Sequence, residues 1–89
     1  MITKIYTLRD QVAQFYLPTF PMKTEGEAIR AMLETAKNEN TQFHNSPADF
    51  VLYEIATFDD NTGEYEMYLD KKRLGSIEEL QAPKEAKEE

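Results

Sequence analysis

Five tyrosines, Tyr6, Tyr16, Tyr53, Tyr65 and Tyr68, and three consecutive cations, Lys71-Lys72-Arg73, are the side chains best equipped for chemistry in this 89-residue sequence. Flat aromatic rings stack unpaired bases, and Lys or Arg beside them seats the phosphates between those bases. All five tyrosines fall on segments with strand character. Tyr16, Tyr53 and Tyr68 have the parity opposite to the more apolar side of their strands, which places them on a face that a covering helix would leave open. Two plainer readings stand beside this one: aromatics on strands commonly fill a core, and a cation run flanked by Asp70, Glu78 and Glu79 also suits a solvated turn. The remaining cations considered, Lys4, Arg9, Lys23 and Arg30, are dispersed along the chain.

Other chemistries find little support. The only histidine, His44, lies in Gln42-Phe43-His44-Asn45 without a second histidine, a cysteine or a carboxylate at ligand spacing, and reads as a surface-loop residue. Asp59 and Asp60 lack the remainder of a calcium-loop pattern and read as turn formers. Glu64 and Glu66 share a strand face but have no partner in sequence that would raise a carboxyl pKa, so a solvated face is expected. Cysteine is absent, which removes disulfides, thiolate metal sites and thiol nucleophiles together. The three glycines, at 26, 63 and 75, are isolated and make no phosphate-cradling loop. The expectation is a protein that is not an enzyme and that uses neither metal nor cofactor.

Length and composition limit the architecture. A chain this short holds one core, expected over residues 1–82, with the charged stretch 83–89 as a disordered tail because it carries no large apolar residue. Hydrophobic residues at 40% and charged residues at 30% are ordinary for a globular domain. No apolar run approaches the roughly 20 residues of a membrane span and no signal segment is evident, so no membrane association and a cytoplasmic location are expected. Seventeen acidic against ten basic residues give a net charge of −7, which opposes tight binding to a polyanion and restricts any phosphate contact to weak, salt-sensitive binding.

The elements that must position these side chains can be read in order. Ile2 to Leu8, rich in β-branched and aromatic residues, predicts a strand paired on both sides. A turn at Asp10-Gln11 leads to a second strand over Val12 to Leu17, and Pro18 to Pro21 is extended or irregular. Thr24 and Glu27 form a capping box that starts a helix with Ala28, Ile29, Met32, Leu33 and Ala36 on its apolar face and an Arg30–Glu34 pair on its polar one. Asn38 to Gln42 is a polar exit, and Ser46-Pro47-Ala48-Asp49 predicts one helical turn. Phe50 to Phe58 predicts a central strand, with Phe50, Leu52, Ala56 and Phe58 on one face and Val51, Tyr53 and Ile55 on the other. Asp59 to Gly63 supplies a hairpin turn into a strand where Tyr65, Met67 and Leu69 alternate with Glu64, Glu66 and Tyr68. Ser76 and Glu79 cap a short helix over Ile77 to Gln81. The fold class is α+β: an antiparallel sheet of about four strands in the order β-β-α-β-β, one main helix on one face, and a short C-terminal helix.

Four segments together resemble the small nonstructural protein that gokushoviruses, phages with single-stranded DNA in the Microviridae, encode in their fifth open reading frame. They are Ile5-Tyr6-Thr7-Leu8-Arg9-Asp10, Thr24-Glu25-Gly26-Glu27-Ala28-Ile29-Arg30, Pro47-Ala48-Asp49-Phe50 with Leu52-Tyr53, and Phe58-Asp59-Asp60-Asn61-Thr62-Gly63. The similarity covers residues 2–69 and leaves the acidic segment Ile77 to Glu89 outside it. The resemblance implies a DNA-binding protein in the host-cell cytoplasm, without catalytic activity, that helps divert replication from duplex intermediates to single-stranded genomes for packaging. It adds Arg9, Thr24 and Arg30 as candidate contacts. The candidate DNA-binding set is therefore Arg9, Tyr16, Lys23, Thr24, Arg30, Tyr53, Tyr68, Lys71, Lys72 and Arg73. The alternative is an acidic protein-interaction module that pairs with a second copy as a homodimer, with a phage replication protein, or with capsid protein, and does not bind DNA directly.

Overall fold

The computed structural model describes residues 1–81, so the charged tail expected over 83–89 lies outside the described residues. The strands are β1 (Ile2–Asp10), β2 (Phe15–Tyr16), β3 (Phe20–Met22), β4 (Phe50–Asp59) and β5 (Glu64–Ser76), and the helices are α1 (Glu25–Ala36), α2 (Gln42–Asn45) and α3 (Ile77–Gln81). One antiparallel sheet runs β2-β1-β4-β5, and β3 shares with β2 the edge of β1 that faces away from β4. This is the α+β arrangement expected, with β1 and β4 central and α1 covering one face.

Two short strands replace the single Val12–Leu17 strand because of local hydrogen bonding. The Asp10 carboxylate accepts from Val12 N (3.1 Å) and Ala13 N (3.0 Å), and Gln14, at φ 65°, donates its N–H to the Asp10 carbonyl (2.7 Å). Val12, Ala13 and Gln14 are thus held in a turn rather than a strand. Pro18 and Pro21 then interrupt the edge, and Pro21 is tolerated opposite Ile5 because β3 is an edge strand.

α1 starts as the capping pattern requires, with Glu27 N donating to Thr24 Oγ1 (3.1 Å), although the Glu27 carboxylate accepts from Lys23 N (3.3 Å) rather than from Thr24. Ala28, Met32 and Ala36 are buried, with Ile29 and Leu33 half-buried, against Tyr6, Leu8, Phe50 and Leu52 of the sheet. Burial of each large apolar side chain of this kind stabilises the fold by about 1.5–3 kcal/mol. Glu34 pairs with Lys37 (3.3 Å) instead of Arg30. The polar exit leads into α2, a helix that places His44 outside a loop; Thr41 Oγ1 accepts from His44 N (3.3 Å) and His44 Nδ1 donates to the Ala36 carbonyl (3.0 Å). His44 therefore ties α2 to the end of α1, while Phe43 packs edge-on against Phe50 at 4.8 Å. The turn at Pro47–Asp49 is a single 3-10 turn, and α3 is capped reciprocally by Ser76 and Glu79 (2.9 and 3.1 Å).

Register shifts decide which side chains share a face. Ile5 pairs with Ala56 but Tyr6 pairs with Glu54, so Ile55 is an extra residue in β4. The bulge reverses the parity expected beyond it: Ala56 and Phe58 leave the side of Phe50 and Leu52 and join Val51 and Tyr53 on the face away from α1. In β5, Lys72 pairs with Glu54 and Met67 with Ala56, so Tyr68 to Lys71 form a wide bulge opposite Ile55. Alternation through it puts Tyr65, Met67, Leu69, Lys71 and Arg73 on the open face, and Glu64, Glu66, Tyr68 and Lys72 on the α1 side.

Candidate nucleic-acid interface

The open face gathers cations and aromatic rings from four strands, β1, β2, β4 and β5, at its β2 end. Tyr16 lies opposite Arg9 in the β1–β2 ladder and is 44% exposed. The Arg9 guanidinium and the Lys71 ammonium each stand 5.5 Å from the Tyr16 ring centroid, within cation–π range. Tyr53 meets Tyr16 edge-on at 5.9 Å, and Arg73 lies directly opposite Tyr53 on β5. Below them Thr7 is buried and donates its hydroxyl to the Leu17 carbonyl (2.6 Å), which fixes the chain that carries Tyr16 to β1. Arg9 also donates to Gln11 Oε1 (2.9 Å), and Arg73 pairs with Glu79 (3.1 Å). The Glu79 carboxyl is held below its ordinary pKa of 4.5, first by the Ser76 N–H and then by Arg73.

Five of the ten candidates from sequence thus come together: Arg9, Tyr16, Tyr53, Lys71 and Arg73. The others do not join them. Lys23 and Thr24 lie just before α1 and Arg30 midway along it, on the opposite side of the sheet, and the Thr24 hydroxyl is occupied as the cap. Lys72 faces the α1 side and pairs with Glu25 (3.4 Å).

Tyr68 also departs from the open face: it stays in alternation with Glu64 and Glu66, and that side of β5 faces α1, where its hydroxyl donates to Glu54. Glu54 is only 3% exposed, and both its Oε1 and the Tyr6 hydroxyl are buried without a hydrogen-bond partner among the described residues. The bond to Glu54, followed by burial, pushes the Tyr68 hydroxyl from 10 up to about 12. Burial first, and then the Glu54 charge, holds Tyr6 well above the ordinary tyrosine value. Glu54 was not among the sequence candidates, although a carboxylate inside Val51-Leu52-Tyr53-Glu54-Ile55-Ala56 is the kind of interruption that marks a buried polar contact. This cluster anchors the bulge from which Lys71 reaches Tyr16.

The arrangement on the open face is suited to stacking and phosphate contact. Tyr16 supplies a partly exposed ring, Arg9 adds a planar guanidinium, and Lys71 and Arg73 supply charge at the rim. Among the described residues no group of acidic or histidine side chains is placed to hold a metal ion, and no helix is long and apolar enough to cross a membrane.

Comparison with known proteins gives no match to a curated protein and none to a solved structure. A family model does match, over residues 3–80, which includes every strand partner of β1 and β4 and both halves of the aromatic and cationic cluster. The chain belongs to the phage ORF5 protein family.

Proposed function

We propose that this phage protein binds single-stranded DNA on the open face of its sheet and acts as a non-catalytic accessory when replication turns from duplex intermediates to single-stranded genomes for packaging. The observation that carries the reading is the convergence of Arg9, Lys71 and Tyr16, with Tyr53 and Arg73 adjoining, on the face opposite α1. Bases with exposed π faces stack on Tyr16 and on the Arg9 plane, while Lys71 and Arg73 neutralise flanking phosphates. A duplex hides those π faces, so the same surface favours single strands. With two cations on phosphates the slope of log K against log salt is roughly −1.4, far shallower than that of a strongly basic binder.

The second reading, a protein-interaction module, draws on a separate observation: Tyr65, Met67 and Leu69 stand in a row on the same face and are exposed. Fluorescence anisotropy of labelled single-stranded and duplex oligonucleotides at two salt concentrations tests the DNA reading. Tighter single-strand binding that weakens with salt, and weakens further in K71A, supports it. Absence of binding at low salt overturns it.

A further inference from the structure

β5 is an edge strand, since the sheet order ends with it and no described strand pairs its outer side. It is also 13 residues long, which leaves a long row of backbone donors and acceptors open to pairing. Its exposed open-face residues include Tyr65 and Met67, each 63% exposed, and Leu69, which is 100% exposed. Natural edges of this length are ordinarily covered or blunted; the bulge and Lys71-Lys72 blunt part of this one, while Tyr65, Met67 and Leu69 leave an exposed apolar row beside them.

The charge order along β5 identifies the occupant. The strand carries Glu64 and Glu66 in its first half and, after Asp70, Lys71, Lys72 and Arg73 in its second, before it ends at Ser76. An antiparallel pairing of two identical strands reverses that order and lays the acidic half of one against the basic half of the other.

We propose that the protein forms a homodimer by antiparallel pairing of β5 with β5 of a second copy, about a two-fold axis that passes through Leu69 perpendicular to the sheet. In this register Leu69 meets its own counterpart, Glu66 faces the partner's Lys72 on the α1 side, and Tyr65 faces the partner's Arg73 on the open side. Each pair lies on one face, as the pleat requires. Met67 faces the partner's Lys71, whose aliphatic stem covers the thioether. Neighbouring registers are worse: an axis through Tyr68 sets Glu66 against the partner's Asp70, and an axis through Asp70 sets two carboxylates directly against each other. The bulge from Tyr68 to Lys71 sits at the axis, and a second irregularity lies at Leu74, so Tyr65-Glu66 of each copy and Lys72-Arg73 of the other form the ladder on either side of the axis.

Because the axis is perpendicular to the sheet, both open faces point the same way and the two Arg9–Tyr16–Lys71 clusters lie on one continuous surface. The dimer stands on β5 alone, and its test contains no DNA, so its failure and failure of the DNA reading are separate events.

The test is light scattering coupled to size exclusion on the full chain and two charge-reversed variants, E66K and K72E. Wild type is expected at twice its 10.4 kDa monomer mass. Each variant places two like-charge pairs at its own interface and should weaken self-association by at least about tenfold, while an equal mixture of the two restores both attractive pairs and the dimer. Both positions are exposed, and circular dichroism checks that each variant is folded. A monomeric wild type at the highest soluble concentration overturns the proposal. So does a dimer that neither variant weakens, or a mixture that associates no better than the variants separately.

Discussion

Replacement of Tyr68 by Phe isolates the contact that holds the β5 bulge against the sheet. The ring and its packing remain, and only the hydroxyl that donates to Glu54 is removed. Because Glu54 is 3% exposed and its other oxygen already lacks a described partner, Y68F leaves a buried carboxylate with neither oxygen satisfied. A hydrogen bond to a charged group contributes about 1.5–3 kcal/mol, and stranding a buried charge raises the cost toward 3–5 kcal/mol. Tyr68 is itself only partly buried, so water reaches the vacated position and a loss of about 2–3 kcal/mol is expected. Against a total of roughly 4–13 kcal/mol for a domain of this length, that is a large fraction. It corresponds to a fall in Tm of roughly 8–20 °C.

Glu54→Gln behaves differently. The amide oxygen still accepts from Tyr68, and the amide NH2 faces the unpartnered Tyr6 hydroxyl, so E54Q should change stability by less than about 1 kcal/mol in either direction. The double variant should then cost less than Y68F alone, with a coupling of about 1–2 kcal/mol. Urea unfolding followed by circular dichroism measures all four proteins. A Y68F loss below about 0.5 kcal/mol, or strict additivity with E54Q, would show that the hydroxyl and carboxylate do not meet and that the bulge is held by something else.

Three further outcomes follow from the same geometry. Tyr16→Ala should leave the fold intact, because the ring is 44% exposed, yet weaken single-strand binding by roughly 5- to 150-fold in anisotropy titrations, the range for loss of one stacking platform. Gly75→Ala should destabilise by about 1–3 kcal/mol in urea unfolding, since φ is +145° and a Cβ there would stand 3.2 Å from the Glu79 and Leu80 side chains. Stability should fall in alkali: the folded state holds the Tyr68 proton to about 12 while the unfolded chain releases it near 10. The contribution is therefore complete below pH 10 and is lost as pH rises from there through about 12, with Tyr6 acting in the same direction. Unfolding at increasing alkaline pH should show a smaller loss in Y68F than in wild type.

α1 and α3 were legible because their signals are local, whereas α2, over residues read as a polar exit and a surface loop, was not. Thr24 with Glu27, and Ser76 with Glu79, act within one turn, and both helices start where those pairs stand. β1 and β4 announced themselves as central through apolar residues on both parities, and both are flanked on each side. Register was not legible, because an inserted residue such as Ile55 leaves no mark in composition while reversing every side chain beyond it. That is why Ala56 and Phe58 changed faces.

Tyr68 followed the alternation along β5, but the two-sided bulge set that strand's α1 side against Glu54, a pairing that depends on β4. Arg9, Tyr16, Tyr53, Lys71 and Arg73 were each recognisable by type. Their convergence depends on β2 folding back on β1 and on the β5 bulge delivering Lys71, neither of which is a property of any one segment. Lys23, Thr24 and Arg30 share the chemistry of binding residues but stand on α1 or just before it, where Thr24 serves the helix as its cap.

Amide chemical-shift mapping of the 15N-labelled protein with an oligothymidine locates any single-stranded DNA on the molecule. DNA seated on the open face around Tyr16 gives progressive shifts confined to Arg9, Tyr16, Tyr53, Lys71, Arg73 and their ladder neighbours, with the amides of Lys23 to Arg30 unmoved. Shifts centred on Lys23 to Arg30, or no shifts at low salt, would contradict the proposed function.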